Sequence, residues 1–290
     1  MSDITQLFLV GIANGGIYAL VAIGFIIVSE TTRIVNFATG ELVMMGAFLG
    51  VAAVSQQKLS FVAGYPLVLL AMALIGVVFY FAIFRPLQGH SPLTTIIGTV
   101  GIGIALQNIA LVVWGPLPYR PPSPFPDNTT VAGAVISKHL IFVVGVTGVL
   151  IAALYFLLYR TSIGYRMRAV AQDSDAAQLM GISVTAMFIL AWTLAFGLAG
   201  VAGVLLGPIW MVDPGMGPNV ALKAFAAAII GGFGSLPGAV VGGIFVGLTE
   251  VFGAAYISSA YKDAFVFLTM ILFLTFRPEG VFGERVGQRG

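Results

Sequence analysis

Residues 222–255 read LKAFAAAIIGGFGSLPGAVVGGIFVGLTEVFGAA. Two charged side chains, Lys223 and Glu250, stand in this otherwise apolar and small-residue run. The run is longer than the ~20 residues that cross a hydrocarbon core as one helix. Gly231-Gly232-Phe233-Gly234-Ser235-Leu236-Pro237-Gly238 interrupts it. Glycine admits backbone angles that end a helix, and proline lacks the donor that continues one. The stretch therefore predicts two short helices or a re-entrant pair. A backbone break at membrane depth is tolerated only where protein or a polar cavity covers it. The segment thus implies a surrounding bundle of membrane-spanning helices.

Working outward, further apolar runs occupy 6–29, 42–57, 62–84, 92–114, 139–159, 185–210 and 260–276. The expected fold is all-α: one polytopic transmembrane bundle over 1–290, with about eight spans and the broken segment among them. Composition agrees. Hydrophobic residues make up 59% of the chain and charged residues 8%, against roughly 25% charged in soluble domains. Lipid-facing strands would alternate, and these runs do not. A net charge of +2 gives no reason to expect nucleic acid. The absence of cysteine excludes disulfides and thiolate chemistry. No HExxH or GK[ST] motif occurs, and His90 and His139 are isolated. Gly98-x-x-Gly101-x-Gly103 lies inside an apolar run rather than at a strand-to-helix turn. No catalytic, cofactor-binding or metal-ligating residue is expected on this chain, which reads as a carrier and not an enzyme. The first residues lack the basic region of a cleaved signal peptide, so the first run reads as a retained span.

Lysine and arginine accumulate on the cytoplasmic side of membrane proteins. Arg160, Arg166 and Arg168 cluster in one loop, and Arg277, Arg285 and Arg289 at the C-terminus. With both clusters inside, Arg33 and Arg85 fall inside too, while Lys58, Arg120, Lys138, Lys223 and Lys262 fall outside. The N-terminus is then periplasmic and the C-terminus cytoplasmic. The longest external loop, 115–138, begins GPLPYRPPSPFPDNTT; its prolines forbid helix and favour extended chain. It reads as a connector or as a docking surface for an external partner.

Small residues recur at the spacing that lets helices approach closely: Gly11/Gly15, Gly46/Gly50, Gly203/Gly207, Gly238/Gly242 and Gly243/Gly247. Polar residues inside the runs need a reason. Asn14 and Tyr18 sit one turn apart in the first span; Asn36 and Glu41 flank the start of the second; Gln107 and Asn108 lie in the fourth. Each reads either as an interhelical hydrogen bond or as lining of a translocation pathway. Asn14, Tyr18, Asn36 and Glu41 are the pathway candidates, the last two because small residues surround them.

Residues 160–184, RTSIGYRMRAVAQDSDAAQLMGISV, form the longest polar stretch on the predicted cytoplasmic side. A helix is expected over Ala169–Met180, stopped by Gly181. Asp175-Ala176-Ala177-x-x-x-Gly181 resembles the EAA-x-x-x-G loop of ATP-binding-cassette (ABC) importer permeases, with Asp in place of Glu. The likeness extends to GIANGGIYALVAIGFIIV and IVNFATGELVMMGAF near the start, RAVAQDSDAAQLMGI, KAFAAAIIGGFGSLPGAVVGGIFVGL followed by Glu250, and RPEGVFG at 277–283. In order and content these blocks resemble the branched-chain amino acid permeases of bacterial ABC importers, in particular the smaller, LivH-type paralogue.

That resemblance implies a division of labour. A second, similar permease would pair with this chain. Two cytoplasmic ATPase subunits, carrying the ATP and magnesium, would meet residues near Arg166, Arg168, Asp175, Ala176 and Gly181. A periplasmic binding protein would deliver substrate. Two other classes stay open on residues alone: an ion-coupled secondary transporter using Glu41 or Glu250, and a passive channel for a small solute such as urea.

Overall fold

The computed structural model describes residues 2–131 and 134–283. Arg285 and Arg289, two of the arginines weighed for orientation, lie outside the described residues. The chain opens with α1 (Ser2–Thr32), then α2 (Thr39–Gly50), whose path continues as a π-helical turn over Val51–Gln56. Next come α3 (Phe61–Phe79), a second π-helical turn (Tyr80–Phe84), the short α4 (Arg85–Leu87) and α5 (Pro92–Trp114). A two-stranded antiparallel hairpin follows, β1 (Asn128–Val131) and β2 (Ala134–Ser137), with Asn128 opposite Ser137. The second half holds α6 (Lys138–Arg160), α7 (Ser162–Gln172), α8 (Ser174–Leu179), α9 (Val184–Leu206), α10 (Met216–Gly231), α11 (Leu236–Tyr256) and α12 (Lys262–Phe276).

Among the described residues eight helical stretches are long and apolar enough to cross a membrane, and α10 is a shorter apolar helix beside them. The protein is a multi-pass helical bundle. The expected break in 222–255 falls at Gly232–Ser235, and α11 on its far side is itself long enough to span. Ser235 caps α11 by accepting from the Gly238 N–H at 3.2 Å, and Pro237 sits in the first turn, where its missing donor is harmless.

Helix α1 is the axis of the bundle, buried along most of its length and packed on α6, α9, α10 and α11. Its crossing with α11 shows why the small-residue spacing matters. A Cβ at Gly15 would lie 2.6 Å from Ile244 Cα, and one at Gly243 would lie 2.7 Å from the Ala19 nitrogen. Two of the predicted pairs, Gly11/Gly15 and Gly243/Gly247, are thus the two sides of a single backbone-to-backbone contact. By contrast α5, α6 and α12 leave most of their surface open, as lipid-facing helices do.

Two ends can be distinguished. At one, the end of α1, helices α7 and α8, the 232–235 break and the tail converge; Val281 and Phe282 N–H groups donate to the Ile230 and Gly231 carbonyls, each at 2.9 Å. At the other, Tyr119 and Val212 pair reciprocally at 2.8 Å, tying the proline-rich loop to the segment after α9. That loop is non-helical as expected. The hairpin at its end was not foreseen.

Candidate functional site

The helix expected over Ala169–Met180 is instead two helices broken at Asp173. Asp173 adopts extended angles and its Oδ1 accepts from the Asp175 and Ala176 N–H groups at 3.0 and 2.9 Å. A side chain that captures two orphan donors starts a new helix rather than continuing the old one. Helix α8 ends as sharply. The Ile182 N–H donates to the Ala177 carbonyl and the Gly181 N–H to the Gln178 carbonyl, both at 3.0 Å, with Gly181 at φ +81°. This pair of bonds is a Schellman motif, and its left-handed position favours glycine. Nothing lies within 4 Å of where a Cβ on Gly181 would stand, so backbone angle and not crowding selects the residue.

The result is a six-residue helix held out from the bundle. Ala177 is its buried anchor, while Leu179 and Met180 are 89% and 84% exposed. Arg166, Asp175, Ala176 and Gly181 are exposed on the same α7–α8 unit, so the structure brings these predicted residues together. Arg168 turns back, its guanidinium over the Tyr159 and Tyr165 rings at 5.0 and 4.8 Å from their centroids. Arg33, in a left-handed conformation at the end of α1 (φ +58°), donates to the Ala171 carbonyl and so joins α7 to α1.

The four pathway candidates do not form one cluster. Asn14 and Tyr18 are buried in the middle of α1, with Tyr18 facing α11. Asn36 and Glu41 lie beyond the end of α1. The Asn36 side chain serves the turn, its Oδ1 accepting from the Ala38 N–H at 3.1 Å. Glu41 is 8% exposed and packs over Gly103 of α5; its Oε2 has no partner among the described residues, and neither has Asn14 Oδ1. A buried carboxylate oxygen without a partner is costly.

The most connected polar cluster lies elsewhere. Lys223 is buried inside α10, not in an external loop as the charge count placed it. Its Nζ stands 2.7 Å from Glu250 Oε1 and 2.8 Å from Asp263 Oδ1. The Tyr18 hydroxyl donates to Glu250 Oε2 at 2.6 Å, and Lys262 Nζ is 3.6 Å from Glu250 Oε1. The Trp210 ring lies under both ammonium groups, at 4.7 and 5.3 Å. Two cations face two anions, so the cluster is neutral and ties α1, α10, α11 and α12 together. Sequence reading noticed Lys223, Glu250 and Tyr18 separately. The signal that links them is that Lys223 and Glu250 are the only charges in one apolar run. Among the described residues no group of three His, Cys, Asp or Glu side chains is placed to hold a metal.

Three comparisons bear on this arrangement. The family model described as branched-chain amino acid transport system / permease component matches residues 7–274. The chain is 34% identical to the high-affinity branched-chain amino acid transport system permease protein BraD of Pseudomonas aeruginosa, over 94% of each chain. It is 31% identical to the corresponding permease protein LivH of Escherichia coli K12, again over 94% of each. Among solved structures, PsaBC from Streptococcus pneumoniae in complex with Fab superposes with a TM-score of 0.52 over 97% of this chain and 94% of that one, at 15% identity, a likeness of fold alone.

Proposed function

Because this chain belongs to the family of branched-chain amino acid transport system permease components, we propose that it is the membrane-spanning subunit of a bacterial ABC importer that moves branched-chain or related amino acids across the inner membrane. The observation that carries the mechanism is the doubly capped α8, which holds an apolar tip, Leu179 and Met180, clear of the bundle. A six-residue helix with this much exposed apolar surface needs a partner to cover it. The partner is a cytoplasmic ATPase subunit, one of two, and hydrolysis of ATP with its magnesium takes place there. The α7–α8 end then faces the cytoplasm and the proline-rich loop with its hairpin faces the periplasm, where a substrate-binding protein docks. A second, homologous permease completes the membrane unit. The chain does no chemistry of its own.

In this reading ATPase closure displaces α8, and the push passes through the Arg33–Ala171 link to α1 and through the short turn at 180–183 to α9. Asn14, Tyr18, Asn36 and Glu41 are the pathway candidates; Glu41 is the strongest, because it alone among them carries a carboxyl group and its Oε2 has no partner among the described residues to compete with a passing ammonium group. Tyr18 is committed to Glu250, which leaves it a positioning role. The test is reconstitution in liposomes with the ATPases, the second permease and the binding protein. Leucine uptake that requires ATP and every subunit is expected. Uptake by this chain alone under a proton gradient would replace the reading with a secondary transporter centred on Glu41. Gly181→Trp should leave ATPase activity detached from uptake; if coupled uptake survives it, α8 is not the lever.

A further inference from the structure

A cavity of about 590 Å³ opens at the α7–α8 end, between the end of α1, helix α7, the 233–236 turn and Phe282. That is within the range of about 300–1,000 Å³ typical of small-molecule sites. Its lining carries charge of both signs. Glu30 contributes a carboxylate, and Arg33 and Arg168 contribute guanidinium groups. Among the described residues no ion pair joins them. The Glu30 carboxylate lies against Gly234, whose φ of +92° and missing side chain leave room for it. The Arg168 guanidinium lies over two tyrosine rings, Tyr159 and Tyr165, while its N–H groups have no acceptor among the described residues. Arg33 is held by the Ala171 carbonyl. Opposite charges that line one cavity, yet are not paired with each other, are complementary to a ligand that carries both. The same lining includes the apolar side chains of Ile26, Ile27, Leu158 and Met167.

We propose that this cavity binds a free zwitterionic amino acid with a branched apolar side chain, on the same side of the membrane as the coupling helices. Glu30 takes the ammonium group, Arg168 and Arg33 take the carboxylate, and the apolar lining takes the side chain. The site is separate from the Glu41 region, and its choice of ligand rests on the cargo reading above. An occupant would touch α1, α7 and the 233–236 turn at once, where the push from α8 enters the bundle.

The experiment is equilibrium binding of radiolabelled leucine to the complex of both permeases and their ATPases, in nanodiscs and without the binding protein. Saturable binding is expected. Glu30→Gln should weaken it at least about tenfold, as loss of one partner of a charge pair does, whereas Lys58→Gln, at an exposed position outside the cavity, should leave it within about twofold. Two probes on the unaltered complex guard against a folding defect in the variant: 4-methyl-2-oxopentanoate lacks the ammonium group, isoamylamine lacks the carboxylate, and neither should displace leucine. A phosphatidylethanolamine headgroup carries the same pair of charges. Leucine binding in nanodiscs free of that lipid supports the amino acid as ligand, and saturable occupancy by the lipid alone overturns it. Absence of leucine binding, or equal binding by Glu30→Gln, also overturns the site, even if uptake by the full system is intact. If leucine binds as described but the full system does not import it, the cargo reading fails and the site stands.

Discussion

Replacing Lys223 by methionine removes the cation that contacts both carboxylates of the α10–α11–α12 cluster, buried Glu250 and half-exposed Asp263. Methionine keeps the apolar stem against Trp210 and Tyr18, so the change isolates the charge. Deleting one partner of a buried pair costs about 3–5 kcal/mol, because the other charge is left uncompensated in a poor solvent. Two features of this cluster point to the lower bound. Lys262 Nζ is already 3.6 Å from Glu250 Oε1 and offers partial compensation. Asp263 has a 40% exposed side chain, so water screens its share. The penalty falls mainly on Glu250, whose side chain is 4% exposed, and we expect about 3 kcal/mol. For a chain of this size ~1 kcal/mol moves the midpoint by about 2–4 °C, so thermal unfolding in detergent should fall by about 6–12 °C. A second substitution separates charge from packing. In Lys223→Met with Glu250→Gln no buried charge remains on Glu250's side, and the Tyr18 hydroxyl still has an amide oxygen to donate to. Neutral replacements of buried pairs are often harmless, so the double variant should recover more than half of the loss. A Lys223→Met midpoint close to that of the unaltered protein, or a double variant less stable than the single one, would refute the argument.

Asp173→Ala removes both donor contacts at the start of α8 and should cost about 1 kcal/mol locally; hydrogen exchange of the 174–179 amides should accelerate while α9 amides stay protected. Gly181→Ala forces a Cβ into the left-handed region at about 1–2 kcal/mol, so α8 should fray and complex assembly with the ATPases should weaken severalfold; Gly181→Asn, which tolerates that region better, should retain more. Gly15→Leu drives a side chain into the Ile244 backbone, and overpacking at a backbone crossing is not relieved by rotamer changes. The yield of folded, monodisperse protein should collapse, whereas Gly145→Leu on open α6, with nothing within 4 Å of its Cβ position, should be tolerated.

The bundle was legible because its determinants are local. Span positions follow from run length, and the break in 222–255 follows from Gly231–Gly238, residues whose effect on a helix needs no knowledge of neighbours. The coupling unit was legible in its composition and stop signal but not in its break. Asp173 reads equally well as a surface residue of one helix or the cap of another, and only its extended angles decide. The ion cluster was not legible. Lys223 and Glu250 are separated by a helix break, and Tyr18 by more than two hundred residues from Glu250. Counting Lys223 as a loop charge followed from treating each lysine near the end of an apolar run as interfacial. The cavity beside α7 was hidden for the same reason, since Glu30, Arg168 and Gly234 meet only in the fold.

The distribution of tight and loose contacts constrains how such a bundle can move. Helices α1 and α11 touch backbone to backbone through glycines and are clamped again by the Tyr18–Glu250 bond, so a displacement of α1 carries α11 and, through Lys223, α10 with it. Helix α2 is joined almost as closely to α9, where a Cβ at Gly46 would lie 2.6 Å from Gly200 Cα. Both inputs from α7–α8 therefore reach elements that respond as rigid bodies. The contact between α2 and α5 is different in kind. At one end Phe48 stacks on Trp114, with ring centroids 4.9 Å apart; at the other, Glu41 lies over Gly103 and the Phe37 N–H, just before α2, makes a long 3.4 Å bond to the Thr99 hydroxyl, and α5 is otherwise open. Packed interfaces shift between discrete arrangements and do not deform continuously, so in the proposed cycle the change is expected at the more loosely packed Glu41 end of this seam. That seam is where the unpartnered carboxylate of Glu41 sits. On the transport cycle proposed above, a carboxylate that would be a defect inside a static interface becomes tolerable in one that opens to an ammonium-bearing cargo.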